Sequence, residues 1–190
     1  MANNLVETIQ RNLEFPPLQK IDPNIQETKE TYPRQPQERL AQASIPAVLT
    51  ALYRFTRADE DCETILSRQG HPDWLGVLFR GKETVAVEKV AAYAGVTNKE
   101  AESVMENVAD EAVVTLRKSV GVNPSKEGIK SLMNAQRHTI LVYLPAALQM
   151  GDLLNEEGLD DRTNKMEGPI SNIIHTIESK FSGSDQSKYP

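Results

Sequence analysis

One stretch, Val85 to Ser119, constrains the fold more than any other, because it reads as two amphipathic helices joined by a tight turn. In its first half, apolar residues recur at the i, i+3, i+4, i+7 spacing that places side chains on one helical face: Val87, Val90, Ala91 and Ala94. Gly95 follows them, and a glycine at this point can adopt the left-handed conformation that closes a helix. The pattern therefore predicts that the first helix ends at Gly95.

The second half of this stretch begins with a capping-box sequence, in which Thr97 is followed three residues later by Glu100. Its apolar residues form one stripe along the predicted helix: Ala101, Val104, Met105, Val108, Ala112 and Leu116. The basic pair Arg117 and Lys118 lies in the last turn, where positive charge interacts favourably with the helix dipole. We expect the rest of the chain to pack around this helical hairpin.

Apolar stripes predict helices elsewhere as well: within residues 5–13, 37–55, 59–67, 74–79, 125–133, 139–154 and 169–181. We expect Asp59 to cap the helix that it begins. Proline inside a helix removes a hydrogen bond, so Pro46 predicts a kink or break near Ser44, and Pro145 predicts a kink in the 139–154 helix. No segment alternates with period two over a useful length, so the predicted fold is all-α, a single compact multi-helix domain.

Residues 15–36 differ in composition from the rest, since they hold five of the eleven prolines. Proline removes a backbone donor and favours extended geometry in the residue before it. This segment is predicted to be a linker or a strap over the surface, or equally an extended, disordered arm that lets the first helix dock on a neighbouring subunit. The expected organisation is an N-terminal helix and proline-rich arm (1–36), a helical domain (37–181) and a disordered tail (182–190).

Charge and cysteine content restrict the class of protein. A net charge of −6 and an isoelectric point near 5.2 argue against a broad nucleic-acid surface. The single cysteine, Cys62, cannot form an internal disulfide, and the first residues have neither the basic nor the apolar region of a secretory signal. The most apolar run, 140–150, is far shorter than the roughly 20 residues that span a bilayer. We expect a cytoplasmic protein with no membrane partner.

Three segments resemble the YidB-like family of small helical bacterial proteins: VAAYAGVTNKEAESVMENVADEAVVTL, YLPAAL and GPISNIIHTIESKF. In that family, a small-residue helix, a Gly-Val-Ser/Thr turn and a second helix recur beside an aliphatic-Pro-Ala-Leu signature. The resemblance covers about residues 85–181. The glycine-rich stretches of the family are missing here, and the proline-rich segment has no counterpart in it. The resemblance implies a helical fold and no particular activity.

The same hairpin also resembles the turn of bacterial helix-turn-helix repressors, which place the start of the second helix in the DNA major groove. From Thr97 to Ala112 the sequence carries one lysine and five carboxylates, which leaves a net charge of −4. DNA phosphates would repel such a helix. Nucleic acid is therefore an unfavoured partner, and a DNA-binding or transcription-linked protein is the alternative hypothesis.

Two patterns resemble catalytic motifs without completing them. Residues 76–84 approach a P-loop, but Glu83 occupies the position where a Ser or Thr hydroxyl must bind Mg²⁺. Leu78 and Phe79 suit a core helix better than a phosphate-binding loop. Cys62 has four carboxylates nearby in sequence, and these disfavour the thiolate that a nucleophile needs. We interpret Cys62 as a structural residue.

Metal-binding patterns are equally incomplete. The three histidines, His71, His138 and His175, lack the spacing that places two ligands on one helix face. The acidic residues of the 156–161 segment fail the EF-hand pattern, so a solvated loop is expected. We therefore predict no catalytic residue, no cofactor and no metal site. An enzyme whose site is assembled from scattered residues is the third hypothesis.

The main hypothesis is a non-enzymatic structural or protein-interaction domain, which self-associates through its N-terminal arm or binds another protein. The candidate contact residues lie on the first and last helices: Leu5, Val6, Ile9, Ile170, Ile173, Ile174 and Ile177. For both helices the alternative is that these side chains belong to the core of their own chain.

Overall fold

The computed structural model describes residues 4–29, 33–68, 72–121 and 123–155, and these residues are mostly α-helical. They form eight α-helices, one 3₁₀ turn and one short β-hairpin. In chain order these are α1 (Leu5–Asn12), β1 (Ile21–Asp22), β2 (Glu27–Thr28), α2 (Pro36–Phe55), α3 (Asp59–Ser67), α4 (Trp74–Phe79), α5 (Glu83–Ala94), α6 (Asn98–Ser119), α7 (Lys126–Leu141), the 3₁₀ turn (Ala146–Leu148) and α8 (Met150–Leu154). The predicted helical class is confirmed. Within the described residues, no helix combines the length and apolar character needed to span a membrane.

Helix α2 lies at the centre of the fold, and fifteen of its twenty residues are buried. It packs most extensively against α5 and α6. The helix is continuous through Ser44, so the predicted break near that residue does not occur. Pro46 removes one hydrogen-bond donor from α2, but burial on nearly all sides holds the helix together because each face packs against a neighbour.

The helical hairpin predicted from the sequence is present as α5 and α6. Gly95 has a φ of +71°, the left-handed conformation, and its N–H donates to the carbonyl of Ala91 at 2.9 Å. At the start of α6, Thr97 Oγ1 accepts from the Glu100 N–H at 3.2 Å, and the Thr97 N–H donates to Glu100 Oε2 at 2.9 Å. Both the glycine turn and the capping box are confirmed.

Two local predictions were wrong. The capping position of α3 is Ala58, and Asp59 is the first helical residue, with its carboxylate paired to Lys130 of α7. The 139–154 segment is not one kinked helix, because α7 ends at Leu141 and is followed by the 3₁₀ turn and α8. Pro145 is extended and precedes the 3₁₀ turn, and a left-handed Gln149 separates that turn from α8.

The proline-rich segment crosses the surface of the helices as a strap. The Ile21 N–H donates to the carbonyl of Val142 at 2.8 Å. The side chain of Gln42 accepts from the Gln19 N–H at 2.8 Å and donates to the Gln19 carbonyl at 3.0 Å. These bonds hold the segment against α2 and the end of α7. Residues 19 and 21 therefore contact the helices, as the strap alternative predicts.

Apolar side chains from all eight helices form one continuous core. Leu5, Val6 and Ile9 belong to this core, and none of the three has exposed surface. Helix α1 therefore belongs to the same core as helices α2 to α8.

Candidate functional site

The three N-terminal interaction candidates lie in the interior of their own chain. Leu5, Val6 and Ile9 are on α1, which packs against α2, α6 and α7. Polar contacts support this placement, since the side chain of Asn12 donates to Glu111 Oε1 on α6 at 2.8 Å. In this conformation the three side chains offer no surface to a partner. Association through α1 would require the helix to leave this position, and it stays a prediction.

Large apolar side chains are seldom exposed in the described part of the chain. Three stand out: Ile25 is 59% exposed, Val85 44% and Val114 37%. They belong to the β-hairpin turn, to α5 and to α6, so they do not follow one another along one helix face. Isolated exposed apolar residues are common on soluble domains. The described surface thus presents no exposed apolar stripe along a helix.

The four remaining interaction candidates, Ile170, Ile173, Ile174 and Ile177, lie outside the described residues. Their spacing in the sequence is unaffected, and it still predicts one apolar helical face. Their part in an interface stays a prediction.

A group of polar side chains joins the strap to α5. Tyr93 Oη donates to Glu27 Oε1 at 2.7 Å. The guanidinium of Arg34 donates to Tyr93 Oη at 3.4 Å and also to the hydroxyl of Thr28. The guanidinium of Arg39 lies 5.8 Å from the centre of the Tyr93 ring. Tyr93 therefore contacts Glu27 and Arg34 of the proline-rich segment and Arg39 of α2.

The protonation of Tyr93 decides what this cluster can do. Burial, together with the neighbouring Glu27 carboxylate, raises the pKa of Tyr93 to about 12. The phenol is therefore protonated near neutral pH and acts as a hydrogen-bond donor. A general base or nucleophile would need a lowered pKa. The hydrogen bonds of Tyr93 with Glu27 and Arg34 therefore serve to hold the strap against α5.

Cys62 is fully buried, as expected for a structural cysteine. Its thiol donates to the Thr56 carbonyl at 3.2 Å. Burial is the main cause that raises the pKa of the Cys62 thiol, and the nearby Asp59 and Asp61 add to it. The thiol is thus held in its unreactive form.

The segment that approaches a P-loop is built into two helices. Leu78 and Phe79 are buried in α4, and Glu83 begins α5. Lys82 Nζ donates to the carbonyl of Leu153 at 2.6 Å, so it holds α8 in place. Arg80 and Gly81 form a left-handed turn between the two helices, and the burial of Leu78 and Phe79 agrees with the interpretation of α4 as core.

The start of α6, which would enter the DNA major groove in a helix-turn-helix protein, is exposed and acidic. Lys99, Glu100, Glu102 and Glu106 all face solvent. The Glu100 carboxylate is held by the capping box, and its contacts with Thr97 lower the Glu100 pKa, so it carries its charge at neutral pH. The electrostatic argument against DNA binding therefore applies to the exposed surface.

The described residues contain no group of three His, Cys, Asp or Glu side chains that could hold a metal ion. His138 lies in the last turn of α7 and is exposed. His71, His175 and the acidic 156–161 segment lie outside the part of the chain that the structure describes.

Comparison with known proteins supplies no relative: no family model, no curated protein and no solved structure matches this chain. The resemblance to the YidB-like family stays a prediction.

Proposed function

We propose that this protein is a non-enzymatic interaction protein, whose helical domain associates with a second copy of itself through an isoleucine stripe at residues 170–177. The observation that carries this proposal is the distribution of apolar side chains. Leu5, Val6 and Ile9 are buried in their own chain, and the exposed large apolar residues of the described surface lie on three separate elements.

The isoleucine stripe is the remaining candidate for an interface. Its residues have the i, i+3, i+4, i+7 spacing of one helix face: Ile170, Ile173, Ile174 and Ile177. Burying one large aliphatic side chain contributes about 1.5–3 kcal/mol, so four such residues supply a favourable contribution against the entropy cost of association. The described helices already bury their own apolar faces in one core. In a two-fold dimer the same patch of each copy is in contact, so the isoleucine stripe of one copy would pack against the isoleucine stripe of the other.

The reactive side chains of the described chain support a non-enzymatic protein. Cys62 and Tyr93 are two buried or partly buried groups whose reactivity would require a lowered pKa, and the pKa of each is raised. Each is also engaged in a hydrogen bond that fastens one segment to another.

Multi-angle light scattering of the full-length chain tests this proposal. We expect the unmodified protein to form a defined oligomer, and the double substitution Ile173→Asp and Ile177→Asp to release monomers with unchanged helical content. Ile25→Asp is the matched control, because it introduces the same carboxylate at an isoleucine that is already exposed. The control should keep the oligomer. A monomeric unmodified protein, or an oligomer that survives the double substitution, would contradict the proposal.

A further inference from the structure

Helix α3 contributes little to the core for its length. Two of its nine residues are buried, Cys62 and Ile65, and Leu66 is partly buried. Helix α1, which is one residue shorter, buries four residues. Because the burial of apolar side chains supplies most of the free energy that docks a helix, α3 depends on other contacts to stay in place.

Two ion pairs join α3 to α7. Lys130 pairs with Asp59, and Lys126 pairs with Glu63 at 2.7 Å. Lys130 lowers the pKa of Asp59, and Glu63 raises the pKa of Lys126, so both pairs favour the charged state of their members. The side chains of Asp59 and Glu63 are 62% and 61% exposed, so dissolved salt screens both pairs.

Two arginines make further contacts with α3. Arg80, the residue after α4, pairs with Asp61. Arg117 of α6 donates from Nε to the carbonyl of Ile65 at 2.6 Å. This carbonyl lies in the last turn of α3, where carbonyl groups lack partners within the helix. These contacts and the two pairs with α7 all use a cation on a neighbouring element, so charge contributes much of what holds α3 in place.

We propose that α3 opens as a unit from the folded domain, and that its ion pairs with α7 determine how often it opens. A segment with few buried apolar side chains opens locally at a lower free energy than the core does. Opening breaks the hydrogen bond from Cys62 to Thr56 and brings the buried thiol into solvent. Burial raises the pKa of this thiol, so opening returns it toward its ordinary reactivity. The proposal does not depend on self-association of the protein.

Alkylation of Cys62 measures the opening, because Cys62 is the single cysteine of the chain. Iodoacetamide labelling of the full-length protein is followed by mass spectrometry at mildly alkaline pH. Each rate is divided by the rate for the urea-unfolded chain at the same salt concentration. We expect labelling to be faster than global unfolding allows and to accelerate as the concentration of sodium chloride rises, because screening weakens the ion pairs.

The double substitution Lys126→Gln and Lys130→Gln tests the ion pairs directly. It should raise the labelling rate by about fivefold and remove most of the salt dependence, since each exposed ion pair changes an equilibrium by up to about fivefold. Lys20→Gln combined with Lys99→Gln is the matched control, because it removes the same charge from two exposed lysines outside α7. The control should label at the rate of the unmodified protein. Equal rates for the two double variants would overturn the proposal.

Ile9→Ala separates local opening from unfolding of the whole domain. Ile9 is buried on α1, so its truncation destabilises the fold without removing an ion pair of α3. If Cys62 is uncovered by local opening, Ile9→Ala should leave the labelling rate nearly unchanged. The proposal also fails if labelling of Ile9→Ala accelerates in proportion to its loss of global stability. Far-ultraviolet circular dichroism of each variant establishes that the fold is intact.

Discussion

Leu5 donates its backbone N–H to Oε1 of Gln136 at 3.1 Å, across 131 positions of the sequence. Leu5 is the first residue of α1, and N–H groups at the start of a helix have no partner within it. Gln136 lies on α7 and is only 4% exposed. A side chain of α7 thus satisfies a buried donor at the start of α1, and this bond fastens the N-terminal helix to the domain.

Replacing Gln136 by Leu should lower the free energy of unfolding by about 1–3 kcal/mol, because the Leu5 N–H would stay buried without an acceptor. Chemical denaturation measures this change. Ser131→Ala, at an exposed position of the same helix, is the control and should leave stability nearly unchanged. Equal stability of the Gln136 variant and the control would show that the bond contributes nothing.

Ile9 and Ile25 form a matched pair, since the first has no exposed surface and the second is 59% exposed. Ile9→Ala should cost about 2–5 kcal/mol, because it leaves a cavity between α1 and the core. Ile25→Ala should change stability by about 0.5 kcal/mol or less. Denaturant unfolding of both variants measures the difference.

Hydrogen exchange of α1 in a dilute sample extends this comparison. If α1 packs in its own chain, its amides should be protected at concentrations where the protein is monomeric. Protection that disappears on dilution would instead support docking of α1 on a neighbouring subunit, and Ile9→Ala would then also weaken the oligomer.

The parts of the fold that the sequence predicted correctly depend on neighbouring residues. Gly95 and the Thr97–Glu100 capping box define the α5–α6 turn within a few positions, so local patterns were sufficient. The amphipathic pattern of α1 was equally clear. The sequence did not show what α1 packs against, because Leu5, Val6 and Ile9 give the same pattern whether they pack in their own chain or on another.

The features that the sequence did not predict depend on distant contacts. Tyr93 and Glu27 are 66 positions apart, and no spacing rule joins a helix residue to a strand in a proline-rich segment. Prolines disfavour regular structure, so the sequence left a surface strap and an arm as equal alternatives for that segment. Its position as a strap depends on Gln42, a buried residue of α2 whose bonds to Gln19 become visible only when the helices are assembled.

Tyr93→Phe should change how stability depends on pH at the alkaline end. The folded pKa of Tyr93 is about 12, whereas an unperturbed tyrosine has a pKa near 10. Between about pH 10 and 12 the folded state therefore keeps a proton that the unfolded state loses, and the free energy of unfolding falls as pH rises. The stabilisation from the Tyr93 hydroxyl is complete below about pH 10 and is lost as pH rises through about 12.

Chemical denaturation of the unmodified protein and of Tyr93→Phe, from neutral pH to about pH 12, measures this dependence. Other groups titrate in the same range, so the quantity to compare is the difference between the two proteins. We expect Tyr93→Phe to be less stable near neutral pH, because Glu27 loses a hydrogen-bond donor, and the difference should shrink as pH rises. Tyr143→Phe is the comparison variant, because it removes the same hydroxyl from another partly buried tyrosine. A difference that stays constant across the range would show that Tyr93 loses its proton equally easily in both states.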